Sequence, residues 1–123
     1  MKTVKILKTG SDQPLVERAG WCSSGWCKLV GLQFRRSLAP DEGLVLVWPR
    51  ESVVQTSIHM FFVFFPIAAI WVNAAGEVTS AQLARPWRPY YASPGPARYV
   101  IETDPSVLDR VRVGDRVTFV STT

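Results

Sequence analysis

Histidine, cysteine and long apolar runs are scarce in this sequence, and their scarcity narrows what the protein can do. The chain has one histidine, His59, and two cysteines, Cys22 and Cys27. A protein metal site needs more nitrogen and sulfur ligands than these three residues supply, so we expect no metal site. The most apolar stretch, residues 60–72, is interrupted by Pro66 and is too short to cross a bilayer. We therefore expect no transmembrane segment.

Signatures of catalysis and of export are absent as well. The sequence has no Gly-x-Ser-x-Gly element, no His-Glu-x-x-His element and no phosphate-binding loop. The first residues, MKTVKILKTGSDQP, include lysines but lack the apolar run and the cleavage site of a signal peptide. The expectation is a cytoplasmic protein without a cofactor, although exported relatives of such a domain are conceivable.

Charge and composition describe a single soluble domain. The 123 residues carry a net charge of +4, and 47% are hydrophobic against 20% charged, which is ordinary for a globular domain. A chain of this length buries enough surface for a real core. The basic residues are scattered and acidic residues lie between them, so a nucleic-acid partner is not favoured. We expect one domain over residues 1–123.

The pattern of short β-forming segments predicts a β-rich fold. One amphipathic helix is expected at about residues 24–34, capped by Ser23 or Ser24, and a helical turn begins at Asp104. Strands are expected at residues 3–8, 14–19, 44–48, 57–65, 67–73, 77–84 and 97–103, with a last strand after Gly114. The fold class is thus α+β and β-rich, with a small, barrel-like, mostly antiparallel sheet.

Cys22 and Cys27 leave two interpretations open. They form a disulfide if the backbone between them is not helical, and they are separate buried thiols if it is. A cytoplasmic location favours thiols, and this is the state we expect.

Several motifs, taken together and in this order, resemble a known family. They are GLQFR at residues 31–35, HMFFVFFPIA at 59–68, GEV at 76–78, ARYVIE at 97–102 and VGD at 113–115. The chain looks like a member of the domain-of-unknown-function 192 family over almost its whole length. The resemblance implies a small barrel-like α+β domain, and it implies no established activity.

This sequence departs from that family pattern on the central strand. Where the family carries an arginine, or a Lys-Asn pair, and a later aspartate, this chain has Val63, Phe64 and Ala68. A function that depends on those polar residues would therefore be lost here.

His59 and Glu102 are the weak candidates for catalysis. A histidine acts as a general base when it has a carboxylate or nucleophile as its partner. An enzyme of hydrolase type would use His59 with Glu102, and Arg35 or Arg88 would stabilise an anion. A histidine with a purely structural hydrogen bond is the favoured interpretation.

The proline-rich segment RPWRPYYASPGP, residues 85–96, supplies the candidates for binding. Its arginines and aromatic rings are able to stack on one another, and its prolines reduce the entropy lost on ordering. The segment either braces the sheet or presents a surface to a ligand. With Arg35, the candidate ligand-binding residues are Arg85, Trp87, Arg88, Tyr90 and Tyr91.

These features favour a non-catalytic module that binds a small ligand or a protein. The alternatives are the His59 enzyme and, last, single-stranded nucleic-acid binding. The adjacent phenylalanines of MFFVFF, residues 60–65, are either buried on both sides or meet another subunit. A homodimer is therefore also an expectation to test.

Overall fold

The computed structural model describes residues 2–122 and contains one seven-stranded sheet, one α-helix and one 3-10 helix. The strands are β1 (Thr3–Lys8), β2 (Val16–Cys22), β3 (Glu42–Ser52), β4 (Ile67–Val72), β5 (Val78–Ala84), β6 (Ala97–Thr103) and β7 (Val117–Ser121). Helix α1 (Gly25–Val30) lies between β2 and β3, and the 3-10 helix (Pro105–Asp109) lies between β6 and β7. The expected fold class is confirmed.

The sheet is mostly antiparallel and curls without closing. Its strand order is β5-β4-β6-β3-β2-β1-β7, and among the described strands β2 and β3 are the parallel pair. The starts of the two edge strands approach each other at one corner. There the Val78 N–H donates to the Asp115 carbonyl, and the Val117 N–H donates to the Gly76 carbonyl, each at 2.8 Å. Beyond this corner the edges separate, so the sheet is barrel-like rather than a barrel.

Both faces of the sheet are covered, because its central strands are apolar on both sides. All six residues of β4, IAAIWV, are buried, which is typical of a strand packed on both faces. Alternate residues of β4 belong to two different cores. Ala68, Ile70 and Val72 belong to the first core, whereas Ile67, Ala69 and Trp71 belong to the second.

The two cores differ in what covers them. The first core is built from side chains of all seven strands and from Val107 and Val111 beside the 3-10 helix. The second core is covered by irregular chain that contributes Leu32, Ile58 and Met60. This irregular covering brings together the candidate functional residues.

The predicted turns are present where glycine or a capping side chain allows them. Gly76 has φ of +87° in the β4–β5 hairpin, and the Asn73 side chain accepts from the Glu77 N–H at 2.9 Å. Asp104 caps the 3-10 helix by accepting from the Ser106 N–H at 3.0 Å. The Asp104 cap confirms the helical turn predicted there, and the Gly76 turn joins the two strands that were predicted at residues 67–73 and 77–84.

Helix α1 is shorter than predicted. The Ser24 side chain accepts from the Cys27 N–H, but the helix ends at Val30, because Gly31 follows with φ of +52°. Consequently Phe34 lies beyond the helix, and the predicted apolar face does not form. The helix itself buries no residue, and Trp26 is 75% exposed.

The phenylalanine-rich segment is not the strand that its composition predicts. Residues 57–65 are irregular apart from an isolated pairing of Ile58 with Tyr91. Phe62 has φ of +61°, a conformation that does not occur in a strand. The segment therefore crosses the second core as a loop, which leaves Phe61, Phe62 and Phe64 exposed.

Cys22 and Cys27 form a disulfide, which corrects the expectation of two thiols. Cys22 ends β2, and α1 begins only at Gly25. The chain therefore turns between the two cysteines and brings their Cα atoms to 5.6 Å. The expectation of thiols was based on a cytoplasmic location, whereas the non-helical backbone between the two residues allows the bond.

Candidate functional site

Three irregular segments meet over the second core and build two adjoining surfaces. They contain residues 31–38, 57–66 and 85–91. The Ile58 N–H donates to the Tyr91 carbonyl at 2.8 Å, and the Tyr91 N–H donates back to the Ile58 carbonyl at 2.9 Å. The Trp87 N–H donates to the Met60 carbonyl at 2.8 Å, and the Phe34 N–H donates to the Phe62 carbonyl at 2.9 Å. These backbone bonds fix the three segments against one another.

The first surface is a group of four exposed rings, here called the aromatic patch: Phe34, Phe62, Phe64 and Trp87. Phe34 stacks on Phe62 with ring centroids 4.9 Å apart. Trp87 packs edge to face with Phe62 and with Phe64. The ring centroids lie 5.0 Å apart in the first pair and 5.8 Å apart in the second. The side chains remain 43–66% exposed. The four rings are therefore one continuous apolar surface open to solvent.

Three of these four residues have a strained backbone. Phe34, Phe62 and Trp87 have φ of +65°, +61° and +67°, and they are the non-glycine residues with positive φ in the described chain. A bulky side chain at positive φ costs on the order of 1–3 kcal/mol. The strain thus coincides with the ring contacts of the patch.

Three arginines are close in sequence to residues of the aromatic patch. Arg36 follows Phe34 closely, and Arg85 and Arg88 flank Trp87 in the chain. All three are exposed, and none of them lies within 4.0 Å of a carboxylate of residues 2–122. The patch is therefore apolar, and exposed arginines without a carboxylate partner in residues 2–122 are near it in the chain.

The five predicted residues of the proline-rich segment divide into two groups. The Tyr91 hydroxyl accepts from the Arg85 N–H at 2.9 Å, and the Tyr91 ring packs against the second core. Trp87, Arg88 and Tyr90 point outward and are exposed. One part of the segment braces the fold, while another part contributes to the exposed surface.

Arg35, the remaining candidate for ligand binding, forms an ion pair and does not belong to the exposed group. Its guanidinium lies 3.0 Å from the Glu42 carboxylate at the start of β3. The arginine therefore fastens the chain after α1 to the sheet, and its charge is balanced locally.

The second surface is a small depression beside the patch, here called the Glu102 pocket. It encloses about 70 Å³ of free space between α1, the residues after it, and the loop at 57–63. Its polar lining residues are Lys28, Gln33, Ser57, His59 and Glu102, and its walls include Leu32, Leu46, Val63 and Ile67. The two weak catalytic candidates, His59 and Glu102, line the same pocket.

Glu102 is the buried charged residue of this site. It lies on β6 between Leu44 of β3 and Ala69 of β4, and its residue surface is 6% exposed. Removal from water disfavours a carboxylate, and burial raises the pKa of Glu102 to about 7. Within residues 2–122 no side chain or backbone group donates a hydrogen bond to its carboxyl group.

His59 and Lys28 are engaged elsewhere. The His59 Nδ1 accepts from the Phe61 N–H at 3.2 Å. The Lys28 ammonium donates to the Val47 carbonyl at 2.8 Å and lies 4.9 Å from the centre of the Trp48 ring. Neither forms an ion pair with Glu102 in the described chain. The structure brings the histidine and the glutamate to one pocket but does not connect them.

Sequence reasoning did not predict Phe34 as a surface residue, and it gave exposure of Phe62 and Phe64 as only one of two alternatives. Their apolar character is the usual signal of burial, and it led to a predicted helix face and a predicted strand. A signal was nevertheless present, because Gly31 interrupts the helical pattern and Pro66 interrupts the strand pattern.

Two predicted absences concern metals and membranes. Within residues 2–122, no group of three or more histidine, cysteine and acidic side chains is close enough to hold a metal ion. In the same part of the chain, neither helix has the length and hydropathy needed to cross a membrane.

Comparison with known proteins is decisive about the family. The model of DUF192, described as "Uncharacterized ACR", matches residues 7–119. The chain belongs to the DUF192 family. A UPF0127 protein of Thermococcus sibiricus is 40% identical over 102 residues, covering 76% of this chain and 66% of that protein. A UPF0127 protein of Pyrococcus furiosus is 33% identical over 92 residues, covering 73% of this chain and 76% of that protein.

Solved structures share the DUF192 fold of this chain. A Novosphingobium aromaticivorans protein of unknown function has a TM-score of 0.84 at 22% identity, covering 94% of this chain and 84% of that chain. A Sinorhizobium meliloti protein with the provisional description of a transcription regulator has a TM-score of 0.82 at 20% identity, covering 96% and 92%. At these identities the likeness concerns the fold alone.

Proposed function

We propose that this DUF192 protein is a non-catalytic binding module that docks a partner protein on its aromatic patch. The observation that carries the proposal is the coincidence of strain and exposure. The three non-glycine residues with positive φ, Phe34, Phe62 and Trp87, are all aromatic, exposed and in contact with one another. Strain retained in a surface cluster points to a role other than stability.

Positive φ at these positions does not by itself call for an aromatic side chain. Glycine or asparagine adopts positive φ at lower cost, and a polar residue would remove apolar surface from solvent. A partner that buries the rings accounts for both features. Large aromatic side chains provide much of the binding energy in protein interfaces.

The composition of the three segments indicates what kind of partner fits. Residues 33–38, 59–66 and 85–91 contain aromatic residues and arginine but no lysine, aspartate or glutamate. Protein interfaces are enriched in the first group and depleted in the second. Because the arginines close to the patch in sequence lack carboxylate partners within residues 2–122, the partner segment should carry aspartate or glutamate beside its own apolar side chains.

A second copy of this chain fits the surface less well. In a two-fold dimer the same patch faces itself, which would place Arg36, Arg85 and Arg88 of one copy near those of the other. We therefore expect the purified protein to be monomeric in sedimentation experiments at moderate salt.

Nucleic-acid binding is also less well supported. Bases stack on open ring faces, but in the patch Phe62 and Trp87 meet edge to face at 62° and Phe34 covers Phe62. The arrangement offers a shaped apolar surface rather than parallel platforms.

The enzyme alternative has one observation in its favour, since His59 and Glu102 line the same pocket. Within the described part of the chain, however, His59 and Glu102 share no hydrogen bond, and neither one is hydrogen-bonded to the side chain of a nucleophile. For this reason we prefer the binding module.

Selection of randomised short peptides displayed on phage tests the proposal. We expect selected peptides to combine acidic and apolar residues. We also expect their affinity to fall at least tenfold for the triple variant Phe34→Asn, Phe62→Asn, Trp87→Asn, since asparagine tolerates positive φ. Val113→Asn is the matched control, because Val113 is 66% exposed and lies near the opposite end of β5.

Three results would overturn the proposal: selected peptides that bind the triple variant unchanged, selection of basic peptides, or failure of the selection while single-stranded DNA or anionic vesicles bind. The last result would assign the surface to a nucleic acid or a membrane instead.

A further inference from the structure

The Glu102 pocket contains a carboxyl group that accepts no hydrogen bond from residues 2–122. Glu102 is a carboxyl group that is more than nine-tenths buried and has no hydrogen-bond donor within residues 2–122, yet it borders a pocket open to solvent. Buried polar groups normally have partners, and among the described residues no fully enclosed side-chain oxygen lacks one. The carboxyl oxygens of Glu102 therefore reach the pocket, where a ligand that enters can donate hydrogen bonds to them.

The backbone leaves space in front of this carboxyl group. Gly31 borders the pocket, and a Cβ atom at this position would lie 3.6 Å from Glu102 Oε1. A longer side chain there would occupy the approach to the carboxyl group. The remaining walls near the glutamate are apolar, with Leu32, Val63 and Ile67 among them.

No cation of residues 2–122 forms an ion pair with Glu102. Its neighbours across the sheet, Leu44 and Ala69, are apolar. Lys28 on α1 and His59 on the loop are the charged and titratable groups that line the pocket with it. Lys28 is held by the Val47 carbonyl and the Trp48 ring, and neither residue pairs with Glu102.

We infer that the Glu102 pocket binds a small organic cation, namely a protonated primary amine on a short alkyl chain. The ammonium group would donate hydrogen bonds to the Glu102 carboxylate, and the alkyl chain would lie against Leu32, Val63 and Ile67. This site uses different residues from the aromatic patch, so it does not depend on the proposed docking function.

Other small ligands complement the Glu102 pocket less well than an ammonium group does. A carboxylate ligand would face a second carboxyl group, and the ammonium of Lys28 is already engaged. A neutral alcohol would donate one hydrogen bond but would leave a buried charge without its counterion. An ammonium group supplies both donors and charge.

Titration of the ¹⁵N-labelled protein with n-butylammonium, followed by NMR, tests the inference. At pH 8 we expect saturable shifts of the Gly31 and Glu102 amide signals. n-Butanol and n-butyrate have the same chain length, and they should bind at least tenfold more weakly. Glu102→Gln should abolish the saturable shifts, whereas Glu17→Gln, an exposed site on β2, should leave them unchanged.

The pH dependence gives a second readout that needs no variant. Because burial raises the pKa of Glu102 to about 7, the carboxyl group is protonated in the free protein at pH 5, and the amine then has no anion to pair with. The apparent dissociation constant should rise about 100-fold between pH 8 and pH 5.

Absence of butylammonium binding at pH 8 would overturn the inference. Equal binding of butanol, stronger binding of butyrate, or an affinity that stays constant between pH 8 and pH 5 would do so as well. If Glu102→Gln fails to fold, the comparison of the three ligands on the wild type and its pH profile still decide the matter.

Discussion

The two faces of strand β4 place similar residues in different surroundings. Ile70 points into the first core, which strands and the 3-10 region enclose, and Ile67 points into the second core beneath the irregular segments. Both side chains are fully buried. The buried carboxyl group of Glu102, the pocket and the strained aromatic residues all lie on the second side.

This contrast shows how one sheet separates stability from binding. A face enclosed by regular strands satisfies its backbone internally and leaves little room for variation. A face covered by loops can accommodate a buried carboxyl group, a cavity and residues at unfavourable φ. Binding residues are more common on such loops because a rigid scaffold positions them.

The largest effect should come from truncating the two isoleucines. Ile70→Ala is expected to lower the free energy of unfolding by about 2–5 kcal/mol, near the upper end, because the first core cannot collapse around the cavity. Ile67→Ala should cost less, near the lower end, because Ile67 already lines the Glu102 pocket and water can fill the enlarged space. Urea unfolding measures the free energy of unfolding of both variants. A larger loss for Ile67→Ala than for Ile70→Ala would show that the second core does not tolerate a cavity better than the first.

Glu102, on the second side of the sheet, should make the free energy of unfolding depend on pH. Its pKa is raised from 4.5 to about 7 in the folded protein, so between these values the folded state binds more protons than the unfolded state. The stabilisation that the folded protein gains from protonated Glu102 is therefore fully present below pH 4.5, and it is lost as pH rises through 7. The loss should total about 3 kcal/mol at high pH, at about 1.36 kcal/mol per pKa unit.

Glu102→Gln provides the reference for this measurement, because the other titrating groups are the same in both proteins. We expect the difference in unfolding free energy between wild type and variant to change by about 3 kcal/mol between pH 4 and pH 9. A constant difference over that range would show that Glu102 titrates normally in the folded protein.

The disulfide should contribute a smaller amount. Cys22 and Cys27 are five positions apart, and closing so short a loop restricts the unfolded chain by about 2 kcal/mol. The double variant Cys22→Ala, Cys27→Ala should therefore unfold at lower urea concentration by that amount, while Ser24→Ala, which removes the helix cap nearby, should cost about 1 kcal/mol. If reducing agent leaves the wild-type transition unchanged, the bridge does not form in solution.

The features that could be predicted from sequence differ between the regular strands and turns and the irregular cover of the second core. The hairpin turn at Gly76, the cap at Asp104 and the buried strand at residues 44–48 depend on local chemistry, so short patterns were sufficient to predict them. The second core depends on contacts between segments distant in sequence, such as Phe34 with Phe62. The breaks at Gly31 and Pro66 show where the regular patterns end, but they do not indicate which rings are exposed.

The candidate site was predictable in part for the same reason. The sequence pointed to Trp87 and Arg88 in the proline-rich segment, and to His59 and Glu102 as a pair. It did not reveal that Gly31 ends the helix and borders the pocket, because the helical pattern was taken to continue through Gly31 to residue 34. A single glycine is compatible with a helix that continues and with one that ends.

The smallest expected effect is also the one that best distinguishes stability from binding in the aromatic patch. Phe34→Gly removes a ring that stacks on Phe62 but relieves the backbone at φ of +65°. Ring contacts of this kind contribute about 0.5–1.5 kcal/mol, and relief of strain returns about 1 kcal/mol or more. We therefore expect the free energy of unfolding to stay level or rise by about 1 kcal/mol.

Phe64→Gly is the matched control, since Phe64 belongs to the same patch, is 54% exposed and lacks a positive φ. Glycine at this position relieves no strain and adds backbone freedom to the unfolded chain, so it should lower stability by about 0.5–1 kcal/mol. If Phe34→Gly instead loses more stability than Phe64→Gly, the ring of Phe34 is needed by the fold. The strain would then be explained by packing, and the central argument for a docking surface would fail.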